Sequence, residues 1–450
     1  MALPPGPQQS PFLQTLGFLL SPQGSTHRNA ERFGDLYTVQ TSIFGTEVVT
    51  TDPEIIKLAF TGDPDVFHAG EANEALGTVV GTRSLLLLDG AEHLRERRLM
   101  MPPLHGERMH AYAETMRVVT ERVVAGWEVN KPFSIHHPLQ QITLEIILTT
   151  VFGLTEGPRL DLLRDKLTEL MNRAQSRFGL LMMIPALQRD LGPLWPWARF
   201  IRMRDDVDAL IHEEIAGRRA EIARATGERR ADVLSMLLGA RDENGQGMTD
   251  KELRDELMTL LVAGHETTAT ALSWAFEQIL GNPRVHGRLV AEIDAAVAEG
   301  KAGPDDLTRL EYLDATIKEV LRLRPPVPVV ARKLKKPLVI RGYELPAGVL
   351  IVPSVYLTHR RADLYPDPEV FRPERFLGKK VDPYTWLPFG GGVRRCVGMA
   401  FAFYEMKIVL ATVLSRVMLR LIKPAPLKVV LRSFIFAPEG GTRVVVIGKR

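Results

Sequence analysis

Residues 389–398 read Phe-Gly-Gly-Gly-Val-Arg-Arg-Cys-Val-Gly, and the next eight, Met-Ala-Phe-Ala-Phe-Tyr-Glu-Met, predict a helix. Three successive glycines allow the loop to bend sharply and to expose backbone N–H groups. Cys396 stands where this loop meets the helix, so N–H donors and the positive end of the helix dipole both favour its thiolate. A thiolate in such a place is a good ligand for iron. The segment therefore predicts a metal-binding cysteine.

Cys396 is the only cysteine of the chain, so no internal disulfide can form and the thiol is free for chemistry. Most lone cysteines are inert core residues, and a glycine loop that opens a helix can also bind phosphate. Residues 389–398 lack the Gly-Lys-Ser/Thr ending of phosphate loops. A metal-free cysteine hydrolase would need a histidine placed beside a glycine-loop nucleophile, and the sequence offers no such arrangement.

A long helix is predicted to run from a capping box at Thr249 and Glu252 to about Leu280, where Gly-Asn-Pro follows. At 1.5 Å per residue it is roughly 45 Å long, enough to cross a whole domain. Its middle, residues 263–268, reads Ala-Gly-His-Glu-Thr-Thr, which is a poor helix sequence. Ala263 and Thr267 share one face, so a small gap and a hydroxyl lie together. A packing face of small residues between two helices is the alternative.

Most of the remaining chain has helical periodicity, and strand-like runs are confined to three places. Residues 36–40 and 47–51 flank a turn at Gly45, residues 338–340 and 349–352 form a second predicted pair, and residues 431–436 and 443–447 form a third. The fold class is therefore mostly α with small β-sheets near both ends. We expect a single domain over residues 1–450, because no repeat or linker interrupts the chain.

Composition excludes several function classes. A net charge of +3 over 450 residues gives no reason to expect nucleic-acid binding. The apolar stretch at residues 12–20 is about half a membrane span and no basic segment precedes it, so we expect it to pack on the domain surface. We therefore expect a cytoplasmic, monomeric protein without a membrane span.

Two charged motifs complete the pattern. Glu319 and Arg322, spaced i, i+3, precede a proline turn, and Arg375 follows in Pro-Glu-Arg-Phe. His93 and Arg97, spaced i, i+4, project from one helical face in a way that suits a pair of carboxylates. Each motif alone is typical of a solvated surface.

Together these motifs resemble the cytochrome P450 family, and the resemblance covers nearly the whole chain. The cysteine loop matches the family at Phe389, Gly392, Arg394, Cys396 and Gly398. The resemblance implies a triangular helical body with the long central helix over the haem. It also implies haem b (iron protoporphyrin IX) as cofactor, with Cys396 as the ligand of its iron.

The same resemblance assigns roles to the other motifs. His93, Arg97, Arg332 and Arg394 are implied to contact the haem propionates, and Ala263 and Gly264 to line the distal pocket. Glu266 and Thr267, the acid–alcohol pair, are implied to deliver protons during dioxygen cleavage. Glu319, Arg322 and Arg375 are implied to form a buried network that supports the fold beneath the cysteine loop.

The implied activity is a monooxygenase that hydroxylates a lipophilic molecule such as a fatty acid, terpenoid or steroid-like compound. A separate ferredoxin and its reductase would supply electrons, and a basic patch of Arg95, Arg98, Arg395 and Lys407 is a candidate docking surface. Residues 178–197 resemble the lid between two family helices. The candidate apolar pocket residues are Leu260, Ala263 and residues 85–88, 327–330 and 434–436.

Two alternatives stay open within haem proteins. A peroxide-dependent haem-thiolate peroxygenase needs no electron partner, and such relatives often lack the pair formed here by Glu266 and Thr267. A non-catalytic haem-binding protein needs no roomy apolar pocket.

Overall fold

The structure is a computed structural model that describes residues 3–106, 108–154, 157–175, 188–189, 192, 195–224, 230–301 and 303–450. Its helices are α1 (Pro11–Leu20), α2 (Pro22–Phe33), α3 (Pro53–Thr61), α4 (Gly77–Val80), α5 (Gly90–Met100), α6 (Arg108–Ala125), α7 (His136–Phe152), α8 (Pro158–Gln175), α9 (Pro196–Ala223), α10 (Val233–Gly239), α11 (Asp250–Leu280), α12 (Pro283–Ala298), α13 (Pro304–Leu307), α14 (Glu311–Leu323), α15 (Val355–Thr358) and α16 (Met399–Arg416). Its strands are β1 (Leu36–Thr41), β2 (Gly45–Thr50), β3 (Phe67–His68), β4 (Pro132–Ser134), β5 (Arg332–Leu334), β6 (Leu338–Ile340), β7 (Tyr343–Leu345), β8 (Leu350–Pro353), β9 (Val417–Leu421), β10 (Val429–Arg432), β11 (Ile435–Pro438) and β12 (Arg443–Lys449).

The long helix predicted from the sequence is α11, and it runs through the centre of the helical body. Thr249 and Glu252 form the capping box at its start, and Gly281 follows its last turn. Trp274 and Phe276 of α11 are completely buried. The helix packs along α7, whose apolar residues are buried on all sides, as expected of a helix enclosed by others. The prediction of a buried central helix is confirmed.

The sheets are small, and the mostly α fold class is confirmed. The largest sheet has the strand order β1-β2-β8-β5-β3, in which β2 and β8 run parallel and the other neighbours run antiparallel. β1 and β2 form the first predicted hairpin, with Leu36 opposite Thr50. β4, β12 and β9 form a three-stranded sheet near the end of the chain, where β10 also pairs with β11.

The other two predicted strand pairs are wrong in their partners. Residues 338–340 pair with β7 rather than with residues 349–352, because Arg341 and Gly342, both at positive φ, turn the chain back after two residues. Strand β8 instead joins β2 and β5. Residues 431–436 form two strands rather than one, because Ser433, with φ of 53°, starts a tight turn between β10 and β11. Residues 443–447, in β12, pair with β4 and β9.

The apolar stretch near the N-terminus is α1, which lies on the surface as predicted. The side-chain oxygens of Gln14 and Thr15 accept the backbone N–H groups of Gln40 and Ser42, each at 2.9 Å, and tie α1 to the first hairpin. None of the described helices combines the length and the apolar composition that a bilayer crossing requires.

Candidate functional site

A cavity of about 1430 Å³ lies between the middle of α11 and the cysteine loop, which we define as residues 389–398. Pockets for one drug-sized ligand usually measure roughly 300–1,000 Å³. Cys396 borders the cavity on one side, and Ala263 and Thr267 border it on the other. The cysteine loop and the middle of α11, the two strongest sequence motifs, therefore border one cavity. This cavity has room for a cofactor together with a substrate.

The cysteine loop is held in a sharp bend at the start of α16. The Cys396 N–H donates to the carbonyl of Phe389 at 2.9 Å, and Gly398 caps the helix that begins at Met399. The Phe389 ring packs against Phe403, with ring centroids 5.5 Å apart. Cys396 thus stands at the junction of loop and helix, as the sequence predicts.

The loop approaches α3 so closely that a side chain does not fit at Gly392. A Cβ there would lie 1.9 Å from the carbonyl oxygen of Phe60. Gly392 also has a φ of 63°, in the left-handed region that favours glycine. The glycine run is therefore needed both for the backbone conformation and for contact with the neighbouring helix.

Cys396 is accessible and lines the cavity. Burial raises the pKa of its thiol, while the N–H of Gly398 and the charges of Arg97 and Arg395 act in the opposite direction. The donors that the sequence predicts are present, but in the protein alone burial outweighs them.

Three arginines and one histidine, predicted from separate parts of the sequence, gather at one end of the cavity. His93 and Arg97 of α5, Arg332 of β5 and Arg394 of the cysteine loop all line it. Burial and then the charges of the three arginines lower the pKa of His93 to about 3. Burial and then the charge of Arg394 lower the pKa of Arg332 to about 10. This cluster of buried donors and positive charge suits an anionic ligand.

Arg394 joins the cysteine loop to residues 85–89 on the cavity wall. Its guanidinium donates to the carbonyl of Leu85 at 3.2 Å and also contacts the Leu88 carbonyl and the Asp89 carboxylate. Among the described residues, Arg97 and Arg332 make no ion pair: Arg97 donates to the Arg395 carbonyl at 2.7 Å, and Arg332 to the Ala331 carbonyl at 2.9 Å. Their charges are left to face the cavity.

The middle of α11 presents a hydroxyl and a small gap to the cavity. The Thr267 hydroxyl donates to the carbonyl of Ala263 at 2.6 Å, which is the back-bonding that loosens a helix. Gly264 faces α7, where a Cβ would lie 2.6 Å from Cδ1 of Ile147. The predicted pairing of Ala263 with Thr267 is confirmed.

Glu266 points away from the cavity, so the structure does not place the predicted acid beside Thr267. Its Oε2 accepts from the amide of Gln140 at 2.6 Å, and its Oε1 lies 3.2 Å from Nε2 of His136. Burial acts to raise the pKa of Glu266, but its contacts with His136, His265 and Gln140 outweigh burial and lower it. The sequence gives no signal for His136 or Gln140, because both lie on α7, far away in the chain.

The buried network beneath the cysteine loop is confirmed. Nε and Nη2 of Arg322 donate to both oxygens of Glu319 at 2.7 and 2.9 Å, and Arg375 lies 3.3 Å from the same carboxylate. The network also includes His359, for which the sequence gave no signal: its Nδ1 lies 3.0 Å from the Arg322 carbonyl, and its Nε2 accepts the N–H of Leu387 at 2.8 Å. His359 therefore links the network to the segment that directly precedes the cysteine loop.

The remaining predicted wall residues divide into lining and core. Leu260 and residues 327–330 border the cavity, as do Leu85 and Leu86. Phe434 also borders it, whereas Phe436 is a core residue whose carbonyl accepts from Trp274. The predicted lid, residues 178–197, lies almost entirely outside the described residues. Residues of α1 and the first hairpin border the cavity too, which their sequence did not indicate.

Three of the four residues of the predicted basic patch have acidic partners. Arg95 lies 2.6 Å from Asp242, Arg98 lies 3.1 Å from Glu243, and Lys407 lies 2.6 Å from Asp314. Arg395 is exposed, and no ion pair joins it to another described residue. The local charge of this surface is therefore smaller than the sequence suggests.

Comparison with known proteins places these features in a family. The family model described as Cytochrome P450 matches residues 4–441. Putative cytochrome P450 135B1 of Mycobacterium tuberculosis and of Mycobacterium bovis is 42% identical over 450 residues, which is 100% of this chain and 92% of the relative. Putative cytochrome P450 137 of Mycobacterium tuberculosis is 36% identical over 93% of this chain and 84% of its own length.

A solved structure shows the same fold. Retinoic acid bound cyanobacterial CYP120A1 has a TM-score of 0.84 to this chain at 24% identity, and the match covers 100% of both chains. Because the family model and the full-length relatives both extend over nearly the whole sequence, the chain belongs to the cytochrome P450 family and is a haem-dependent monooxygenase.

Proposed function

We propose that the chain binds haem b through Cys396 and hydroxylates a lipophilic small molecule inside the cavity. The donor set supports this proposal. A thiol faces the space from a loop at a helix N-terminus. Arg97, Arg332 and Arg394 offer positive charge at one end, and His93 offers a buried, neutral hydrogen-bonding group beside them. A flat cofactor with a metal centre and two carboxylates needs these two kinds of partner. The proposed walls of the haem site are completed by Phe389, Gly398, Ala263 and Gly264.

The bound haem iron would supply the activation of dioxygen, with sulfur as the ligand that favours O–O cleavage. The protein has three tasks of its own. Apolar walls position the substrate and exclude water. Thr267 holds a proton on the Oγ1 that faces the cavity, and Glu266, one residue before it, is the proposed acid that replenishes this proton.

The substrate class follows from the walls. The cavity lining is mainly apolar, with side chains such as Leu86, Leu260, Val329 and Phe434, although charged residues of α2 and Glu256 border it as well as the cationic end. Burial of apolar surface contributes roughly 25 cal/mol per Å². A fatty acid, terpenoid or steroid-like molecule therefore fits this space better than a polar metabolite.

A ferredoxin with its reductase is the proposed electron source. Arg395 adjoins Cys396 and carries an exposed charge that suits an acidic partner. We also propose that residues 1–450 act as one domain and that the protein is a monomer. A cytoplasmic location is proposed because the lone cysteine forms no internal disulfide, as is usual in a reducing compartment.

The observation that carries the proposal is the single cavity bounded by Cys396 and Thr267. Its test has two parts. Titration of the purified haem-loaded protein with lipophiles should shift the Soret band for at least one class, and turnover under ¹⁸O₂ should place one labelled atom in the product. If no lipophile shifts the band and no label is incorporated, the proposal fails in favour of a non-catalytic haem-binding protein.

Turnover with hydrogen peroxide distinguishes the proposed monooxygenase from the second candidate, a peroxide-dependent peroxygenase. Thr267→Ala should lower the rate of the ferredoxin-driven reaction by about 10²-fold, because it removes the proton donor beside the cavity. Turnover with peroxide alone that equals the ferredoxin-driven rate and survives Thr267→Ala would favour a peroxygenase.

A further inference from the structure

One face of the first hairpin forms part of the cavity wall. Tyr37, Val39 and Thr41 of β1 and Glu47 and Val49 of β2 all border the cavity. They share one face because alternate residues of a strand point the same way, and the register sets Tyr37 opposite Val49 and Val39 opposite Glu47. Tyr37 and Glu47 are therefore diagonal neighbours on the side of the hairpin that faces the cavity.

The hydroxyl of Tyr37 has a proton to donate and no partner within the described part of the chain. The residue is 2% exposed and its ring belongs to the main hydrophobic core. No hydrogen bond joins its hydroxyl to another described residue. Burial, and after it the charge of Glu47, raises the pKa of this phenol, so the group stays neutral. Because a buried tyrosine hydroxyl usually has a hydrogen-bond partner, Tyr37 is a donor available to a ligand.

The Glu47 carboxyl is held in place by the turn of the same hairpin. The Thr41 hydroxyl donates to its Oε1 at 2.7 Å and accepts the N–H of Phe44 at 3.0 Å. No charged side chain of the described residues offsets the burial of Glu47, which raises its pKa to about 7. In either protonation state the carboxyl keeps lone pairs that can accept a hydrogen bond. Glu47 is thus an oriented acceptor at the cavity.

A donor and an acceptor side by side suit an alcohol. A hydroxyl group can accept from Tyr37 and donate to Glu47 at the same time, whereas a ketone or an ether can use only Tyr37. A carboxylate would meet the charge of Glu47 with no cation beside it. Tyr37 and Glu47 do not hydrogen-bond to each other, although the Glu47 charge acts on the pKa of Tyr37, so a group between them can contact both.

We propose that Tyr37 and Glu47 bind a hydroxyl group of the lipophilic substrate and thereby fix its orientation in the cavity. A few placed polar groups in a mainly apolar pocket commonly have this role. The inference rests on the proposed function and narrows its substrate classes to those that carry an alcohol. Thr267 borders the cavity from α11, a different element, so oxidation is expected at a carbon away from that hydroxyl.

The binding role is tested by equilibrium dialysis of the haem-loaded protein with two matched pairs of probes. One pair is flexible, dodecan-1-ol and 1-methoxyundecane, and the other is rigid, 5α-androstan-3β-ol and 5α-androstan-3-one. In each pair only the alcohol can donate to Glu47. In at least one pair the wild type should bind the alcohol about 10-fold more tightly, which corresponds to one hydrogen bond to a carboxyl group.

The variants assign this preference to its residues. Glu47→Leu should abolish the preference for the alcohol, and Tyr37→Phe should weaken both members of the pair by about 5-fold while keeping their ratio. Tyr343→Phe, in the half-buried β7 outside the cavity lining, is the matched control and should change neither value. Equal binding of alcohol and analogue in both pairs, or a preference that survives Glu47→Leu, would overturn the proposal.

The orienting role is tested by the products that the bound alcohol yields. The wild type should oxidise it mainly at one carbon, and Glu47→Leu and Tyr37→Phe should spread oxidation over several carbons. An unchanged product distribution in both variants would show that the hairpin does not orient the substrate. If the wild type oxygenates nothing, the proposed function fails, while the dialysis comparison still decides whether Tyr37 and Glu47 bind a hydroxyl group.

Discussion

Two buried ionic clusters stand behind opposite walls of the cavity, and they differ in kind. Behind the cysteine loop, Arg322 makes a two-pronged contact with Glu319 and donates to the carbonyls of His359 and Pro368, each at 2.8 Å. Behind α11, the Glu266 carboxylate lies 3.2 Å from Nε2 of His136, and both ring nitrogens of His136 are buried without a hydrogen-bond partner among the described residues. The first cluster is saturated with hydrogen bonds, and the second is not.

This difference suits the two clusters to different roles, one in supporting the cysteine loop and one in the proposed proton delivery. A guanidinium is a permanent, planar cation, and the two-pronged contact of Arg322 with Glu319 fixes one geometry. Behind α11 no guanidinium contacts Glu266, and opposing influences of burial and of its polar neighbours act on the pKa of this carboxyl, with a net lowering. A two-pronged ion pair suits a rigid base for the cysteine loop, and a carboxyl held by fewer hydrogen bonds suits the proposed role of Glu266 as a proton donor.

The largest expected effect comes from breaking the permanent cluster. Arg322→Leu leaves the Glu319 carboxylate buried without its main partner, which should lower the free energy of unfolding by about 3–5 kcal/mol. Urea unfolding followed by circular dichroism measures this loss. Arg117→Leu is the comparison, since Arg117 pairs with Glu114 at the same i, i+3 spacing, and also with Glu121, on a solvent-accessible helix face. It should cost about 0–1 kcal/mol, and equal losses would show that burial is not the cause.

A smaller effect is expected from changing the cysteine loop itself. Gly392→Ala places a Cβ against the Phe60 carbonyl and forces alanine to a φ of 63°. The expected cost in unfolding free energy is about 1–3 kcal/mol, with faster loss of haem because the loop must shift. Gly217→Ala in the middle of α9, where nothing lies within 4 Å of the new Cβ, should instead stabilise the protein by about 1 kcal/mol. A harmless Gly392→Ala would contradict the close approach of the loop to α3.

The smallest effect is the pH dependence of the titratable cluster. The pKa of Glu266 is lowered in the folded protein, so its contribution to stability is fully present above the unfolded pKa of about 4.3 and is lost as pH falls through the folded value. Compared with Glu266→Gln, the wild type should therefore lose an advantage on the order of 1 kcal/mol below about pH 4. Thermal unfolding across pH 3–7 measures it. If the stability advantage of the wild type over Glu266→Gln grew as the pH fell, the pKa of Glu266 would be raised, not lowered, by folding.

The sequence predicted the parts of the site that depend on local chemistry. The capping box of α11, the bend at the cysteine loop and the contact of Thr267 with Ala263 each involve residues a few positions apart. Their geometry follows from backbone rules that act over one or two turns. The cationic end of the cavity was also predicted, although only the family resemblance joined His93 and Arg332 to the same ligand.

The parts that were missed or wrong depend on contacts between distant segments. The direction of Glu266 is decided by His136 and Gln140 on α7, which no spacing in the chain reveals. Strand partners were wrong where two residues at positive φ, Arg341 and Ser433, turn the chain earlier than expected. Charge was overestimated near Cys396, because Asp242 and Asp314 come from other elements to pair with Arg95 and Lys407.

The proposed bond between the Cys396 sulfur and the haem iron is visible in the spectrum of the reduced carbon monoxide complex. Cys396 is the only cysteine, so no second thiol can replace it in Cys396→Ser. The wild type should show the red-shifted Soret band of a thiolate-ligated haem, and Cys396→Ser should lose that band while keeping its fold by circular dichroism. Survival of the red-shifted band in Cys396→Ser would contradict the account.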